Sequence, residues 1–171
     1  MRVGIPKGVK EQEHRVAATP AGVAELACFG HEVLVQRSAG QVTCFPDTAY
    51  QAAGARIGPD VTSVYKADLI FKVKEPLPAE LPLLRNGQVL SSYLYLAADS
   101  RLAQALLERG VTAIGFKTVE DGRGRTPLLA PMPQIAGRIA IQAGMQVLKM
   151  RNGGHGMLLS GAPGVPPREW W

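Results

Sequence analysis

The sequence predicts an α/β domain of three layers, with helices on both faces of a mostly parallel sheet, Rossmann-like (flavodoxin-like) in kind and followed by a long C-terminal helix. Two observations carry this. Short apolar runs rich in β-branched residues alternate along the chain with helix-patterned segments, the order that βαβ units require. The run Leu69-Ile70-Phe71-Lys72-Val73 is apolar except for Lys72, as expected of a central strand covered on both faces.

The elements follow in order. Arg2–Ile5 is the first strand. Thr19-Pro20 then gives an N-cap followed by proline at the first helical position, where its missing N–H costs nothing. That helix runs through Val23-Ala24-Glu25-Leu26 and stops at Gly30. Cys28 falls within its apolar pattern and reads as a core residue. Residues 31–36 alternate apolar and polar as a second strand. A loop over 38–46 leads to a helix over 47–53 and a short strand at 55–57. Beyond the central strand at 69–73, residues 88–94 and 112–116 read as two further strands separated by a helix over 100–109. Ile135, Ile139, Ala143 and Val147 recur at a four-residue spacing and predict a long helix over 134–150. Asn152-Gly153-Gly154-His155-Gly156 then reads as a loop or linker.

Bulk properties narrow the function. A chain of 171 residues is long enough for one domain with a sizeable core. Its net charge of +5 is spread along the sequence and forms no basic run, which argues against nucleic-acid binding. No apolar stretch approaches the roughly 20 residues that span a bilayer. The opening Met1-Arg2-Val3-Gly4-Ile5-Pro6-Lys7 loses its hydrophobicity too early for a signal peptide. The two cysteines, Cys28 and Cys44, form neither a disulfide framework nor a metal-ligand pattern. A cytoplasmic protein is expected.

Three features could carry chemistry. Arg15, in Glu13-His14-Arg15-Val16, follows the first strand, and in open α/β sheets such loops line the ligand crevice. An arginine there can clamp a carboxylate with two parallel hydrogen bonds, or can be a solvated surface residue. In Lys72-Val73-Lys74-Glu75-Pro76, strand alternation puts Lys72 and Lys74 on one side, and the proline ends regular pairing. A lysine at the tip of a central strand can bind a carboxylate or polarise a carbonyl, or can guard an edge against aggregation. Tyr95, in Tyr93-Leu94-Tyr95-Leu96, can donate a hydrogen bond into the same crevice or pack as an ordinary tyrosine. Other patterns fail. His14, His31 and His155 share no metal-binding spacing. Gly154-His155-Gly156 lacks both the third glycine and the preceding strand of a dinucleotide fingerprint.

These residues meet a known family. Met1-Arg2-Val3-Gly4-Ile5-Pro6-Lys7, Arg15-Val16-Ala17 and Thr19-Pro20-Ala21-Gly22-Val23 resemble the N-terminus of bacterial alanine dehydrogenases and, more loosely, of proton-translocating transhydrogenases. The likeness continues through Gly30-His31-Glu32-Val33-Leu34-Val35, Ala53-Gly54-Ala55, Lys72-Val73-Lys74-Glu75-Pro76, Pro127-Leu128-Leu129-Ala130-Pro131-Met132, Ile135-Ala136-Gly137-Arg138 and residues 161–167. The resemblance implies a substrate domain over 1–133, a connecting helix over 134–150 and a linker with a short tail over 151–171. It implies Arg15 and Lys74 as ligands of the carboxylate and carbonyl of pyruvate or alanine, and NAD bound by a following Rossmann domain.

Three departures from the family stand in the sequence. The proton-exchanging histidine that the resemblance implies is replaced by Tyr95, in Leu94-Tyr95-Leu96-Ala97-Ala98. Histidine titrates at about 6.5 and tyrosine at about 10, so tyrosine is the poorer match to neutral pH. Lys117 stands where family members carry glutamate, and Pro133 where they carry a serine that contacts the cofactor; proline offers neither a hydroxyl nor an N–H.

The ending Pro166-Pro167-Arg168-Glu169-Trp170-Trp171 reads as a linker without its second domain. Pro-Arg-Glu-Trp-Trp-stop can be written CCC CGC GAG TGG TGG TGA, and another frame of the same bases gives Pro-Arg-Val-Val-Val, like a first Rossmann strand. A frameshift is therefore expected; a locus without Rossmann-like coding sequence downstream would refute it. The expected protein is alanine dehydrogenase-like, inactive alone, with no cofactor of its own. Self-association into a homo-oligomer is expected through the apolar faces left uncovered, with helix 134–150 reaching toward another subunit. The alternatives are a binding module for a small 2-oxo or amino acid or for a partner protein, and a transhydrogenase-like subunit completed by a separate nucleotide-binding chain.

Overall fold

The computed structural model describes residues 1–165 and 167 and divides into two compact units, Met1–Val119 and a second from Glu120 onward. The expectations placed on Pro166 and on residues 168–171 lie outside the described residues.

The first unit is built on six strands: β1 (Arg2–Ile5), β2 (Glu32–Gln36), β3 (Arg56–Gly58), β4 (Leu69–Lys74), β5 (Val89–Tyr93) and β6 (Thr112–Gly115). They hydrogen-bond in the order β3-β2-β1-β4-β5-β6, and every neighbouring pair is parallel. Of the doubly wound schemes, this is the Rossmann order, with its switch point between β1 and β4.

Helices cover both faces. On one side α1 (Pro20–Cys28) and α2 (Asp47–Ala52) bring Val23 and Tyr50 against Val3, Ile5, Val33 and Val35. On the other, α3 (Val61–Val64) and the residues after it, with α4 (Ser100–Glu108), bring Tyr65, Leu102 and Leu106 against Ile70 and Leu90. The caps are chemical: Thr19, Asp60 and Asp99 each accept a backbone N–H from the first turn of α1, α3 and α4. At Gly4 the sheet approaches α3 so closely that an added Cβ would sit 2.5 Å from the Val64 carbonyl oxygen. Only glycine fits between them.

Two expectations are corrected in this unit. Cys28 is exposed. It lies five residues beyond Val23, the one buried residue of α1, and so about 140° around the helix from it. Lys72 is no tip residue facing solvent beside Lys74: it is buried, and the ladder register shifts between Phe71 and Lys74. Its ammonium reaches the Glu80 carboxylate (2.5 Å to Oε1), which also accepts from Tyr65 Oη (2.9 Å) and the Leu77 N–H (2.8 Å).

The second unit contains α5 (Pro131–Val147) and a 3₁₀ turn at Met150–Asn152. The helix starts three residues before the sequence pattern does, because Pro131 and Pro133 fall in the first turn, where N–H groups have no intrahelical partner. No residue of α5 is buried, and Ile135, Ile139, Ile141 and Val147 are each more than half exposed. No helix among the described residues is long and apolar enough to cross a membrane.

Candidate functional site

The carboxyl ends of β1, β4, β5 and β6 gather the chemistry. The loop after β1 turns through Gln12, which adopts a left-handed conformation (φ 60°), with the Glu13 N–H on the Lys10 carbonyl (3.0 Å). That turn presents Arg15 as a fork onto Glu13: Nε donates to Oε1 at 2.8 Å and Nη2 to Oε2 at 2.5 Å. The Glu13 side chain is 6% exposed while Arg15 is half exposed. The guanidinium therefore already holds one carboxylate by two parallel bonds, which is the geometry of carboxylate recognition. The Arg15 hydrogen bonds hold Glu13 below the ordinary carboxylate range against the opposing effect of burial, and Lys74 adds to the lowering. Glu13 in turn raises Arg15.

Lys74 is the last residue of β4 and is partly buried. The next residue, Glu75, accepts from Lys10 Nζ at 2.5 Å and so ties the β1 loop to the β4 tip across the switch point. Burial alone would push Glu75 up, but its hydrogen bonds, with Lys10 the larger, leave it below the ordinary value. The Lys10 pKa is raised by the same bond. Among the described residues no group of histidine, cysteine, aspartate and glutamate could hold a metal ion.

Tyr95 follows β5. Its carbonyl accepts the N–H groups of Ala98 (3.0 Å) and Asp99 (3.1 Å), which fixes the turn into α4. Its side chain is 47% exposed and so is not the packed tyrosine that was the alternative reading. After β6, Phe116 wedges into the aromatic cluster, 5.4 Å from Phe71 and 4.9 Å from Tyr93 between ring centroids. That anchor sets the next residue: Lys117 Nζ lies over the Tyr95 ring, 3.2 Å from its centroid. Lys117, through hydrogen bonding and charge, holds the Tyr95 phenol below its ordinary value.

Of the residues singled out from sequence, Arg15, Lys74 and Tyr95 belong to this set of strand ends. Pro133 does not: it is exposed in the first turn of α5, in the second unit. Sequence reasoning missed Glu13, Lys10 and Glu75 as partners. The only signal was the spacing of opposite charges at Lys10 and Glu13, beside Arg15. Two cavities lie nearby. One of about 260 Å³ is lined by Lys7, Lys10, Glu13 and His14. Another of about 520 Å³, between α1 and the sheet, is lined by Val3, Leu26, Phe29, Leu69 and Phe71. The second lacks the convergent polar groups that orient a small ligand.

Comparison with known proteins agrees with this layout. The profile of the family described as "Alanine dehydrogenase/PNT, N-terminal domain" matches residues 4–136. The chain is 51% identical over 165 residues to the alanine dehydrogenase of Bacillus subtilis, covering 96% of this chain and 43% of that one. It is 49% identical over 170 residues to that of Mycobacterium tuberculosis, covering 99% and 46%. A solved L-alanine dehydrogenase superposes with a TM-score of 0.91 at 43% identity, over 98% of this chain and 46% of that one. The transhydrogenase from Sinorhizobium meliloti gives 0.68 at 29% identity, over 72% and 37%. The chain thus spans less than half the length of the relatives it matches.

Proposed function

The chain belongs to the alanine dehydrogenase/PNT N-terminal domain family, and from that premise we propose that it is the half of such a protein that binds pyruvate or L-alanine. The observation that supports this is the pairing of Arg15, on the loop after β1, with Lys74, at the tip of β4, on either side of the sheet's switch point. Arg15 clamps the carboxylate; its fork onto Glu13 is the rehearsal of that contact. Lys74 binds the 2-oxo oxygen and polarises it. Residues 1–133 act as the substrate domain and 134–150 as a connecting helix in this reading.

The described residues offer no cradle for a dinucleotide. Gly153 and Gly154 follow a 3₁₀ turn, whereas the fingerprint glycines follow a strand. An added Cβ at Gly154 would collide with the Val147 carbonyl, so this glycine serves the end of α5. Pro133 has neither hydroxyl nor N–H to give. No hydride step is assigned to these residues, and the chain by itself is expected not to turn over. Purified protein given pyruvate, ammonia and NADH should consume no NADH; clear turnover by this chain alone would overturn the proposal.

A second reading has support in the 29% identity to a transhydrogenase: a separate chain supplies the nucleotide-binding domain. Purification from the native source would then bring down a second, dinucleotide-binding chain in fixed ratio. Isolation of this chain without one would contradict it.

A further inference from the structure

We propose that Tyr95 and Lys117 form a proton-exchanging couple at this site, Tyr95 carrying the proton and Lys117 positioning and biasing its phenol from the turn after β6. The proposal rests on the reading above that an amino or 2-oxo acid is held by Arg15 and Lys74.

The geometry is specific. Lys117 does not reach outward from an open loop. Its neighbour Phe116 is buried among Phe71 and Tyr93, and Thr118 Oγ1 donates back to the Gly115 carbonyl at 3.0 Å. The ammonium 3.2 Å from the Tyr95 centroid is thus set by the fold, and an ammonium on a ring face is attracted by the ring's quadrupole. The phenol keeps access to solvent and ligand, being about half exposed.

Charge around the phenol acts in one net direction. Lys117 favours the phenolate most, Lys74 at the β4 tip favours it further, and Glu75 opposes both. Lys10, from the β1 loop, is attracted to the same oxygen. The two other tyrosines with shifted phenols go the opposite way: burial pushes Tyr50 up to about 12 and Tyr65 higher still. Tyr95 is therefore set apart as an ionisable tyrosine.

The step is a proton transfer and nothing more. The Tyr95 phenolate takes a proton from the 2-ammonium of a bound amino acid, leaving a neutral amine and a neutral phenol; in reverse the phenol returns it. No electrons move. An acid and base of similar pKa exchange protons readily, and a phenol lowered from about 10 approaches the range of an amino-acid ammonium.

Titration of tyrosinate absorbance in the full chain tests the couple. The wild type should show one step below the ordinary tyrosine range, absent from Tyr95→Phe. Lys117→Met should move that step up by about one pH unit, and Lys117→Arg should restore it. A merely structural lysine would not move it. Persistence of the low step in Tyr95→Phe, or no movement in Lys117→Met, would overturn the couple, even where Arg15-dependent ligand binding survives. If the step behaves as expected and no amino or 2-oxo acid binds, the ligand reading fails and the couple stands.

Discussion

Lys72 Nζ, on β4, lies 2.5 Å from Glu80 Oε1, and the two side chains are only 3% and 6% exposed. The pair pins the segment after β4 to the strand two residues before Lys74. Burial pulls the Lys72 pKa down, and Glu80 opposes that. Removing one member leaves a buried charge without its partner, which costs about 3–5 kcal/mol. Lys72→Met should therefore lower the urea midpoint sharply. Adding Glu80→Gln should regain part of the loss, because a neutral amide still accepts from Tyr65 Oη and the Leu77 N–H. Equal stability of Lys72→Met and wild type would contradict this.

Gly4 is the tightest contact between sheet and helix. Gly4→Ala would set a methyl against the Val64 carbonyl at 2.5 Å and the Ala67 Cβ at 2.9 Å. Overpacking of this kind costs roughly 1–3 kcal/mol. Thermal unfolding of the variant should show a clear loss, whereas Gly22→Ala, whose nearest neighbour is 3.8 Å away, should show none.

Acid sensitivity follows from Glu13. Its folded pKa is lowered by Arg15, so between the folded and unfolded values the unfolded state binds more protons and stability rises with pH. The contribution is complete above the unfolded value of about 4.3 and is lost as pH falls through the folded one. Asp68, Glu75 and Asp121 are lowered too and act in the same sense. Urea midpoints measured across this acid range should fall, and Arg15→Ala should flatten part of the slope.

The α5 helix predicts self-association. Its exposed isoleucines form an apolar surface of a kind that marks interaction sites. Light scattering should find an oligomer, and Ile135→Glu with Ile139→Glu should reduce it. Monomer at all concentrations would contradict the homo-oligomer.

Much of this was written locally in the chain. The runs at 2–5 and 69–73 are strands because β-branched and apolar residues suit a covered pleat. Arg15 and Lys74 were legible because strand tips and their loops are where such sheets bind ligands. The α3 helix was not, since four residues carry no periodicity, although Asp60 offered a cap. The Glu80 partner of Lys72, the Glu13 fork on Arg15 and the stacking of Lys117 on Tyr95 depend on tertiary approach. No spacing in the sequence announces them. The buried Lys72 also shows where alternation misleads, because the register shift before Lys74 breaks the period on which the pairing of the two lysines rested.

Calorimetric titration of the purified chain with pyruvate, beside Arg15→Ala, tests the carboxylate site most directly. Saturable binding by the wild type that is lost in Arg15→Ala is the expected result. No binding by the wild type, or equal binding by both, would contradict it.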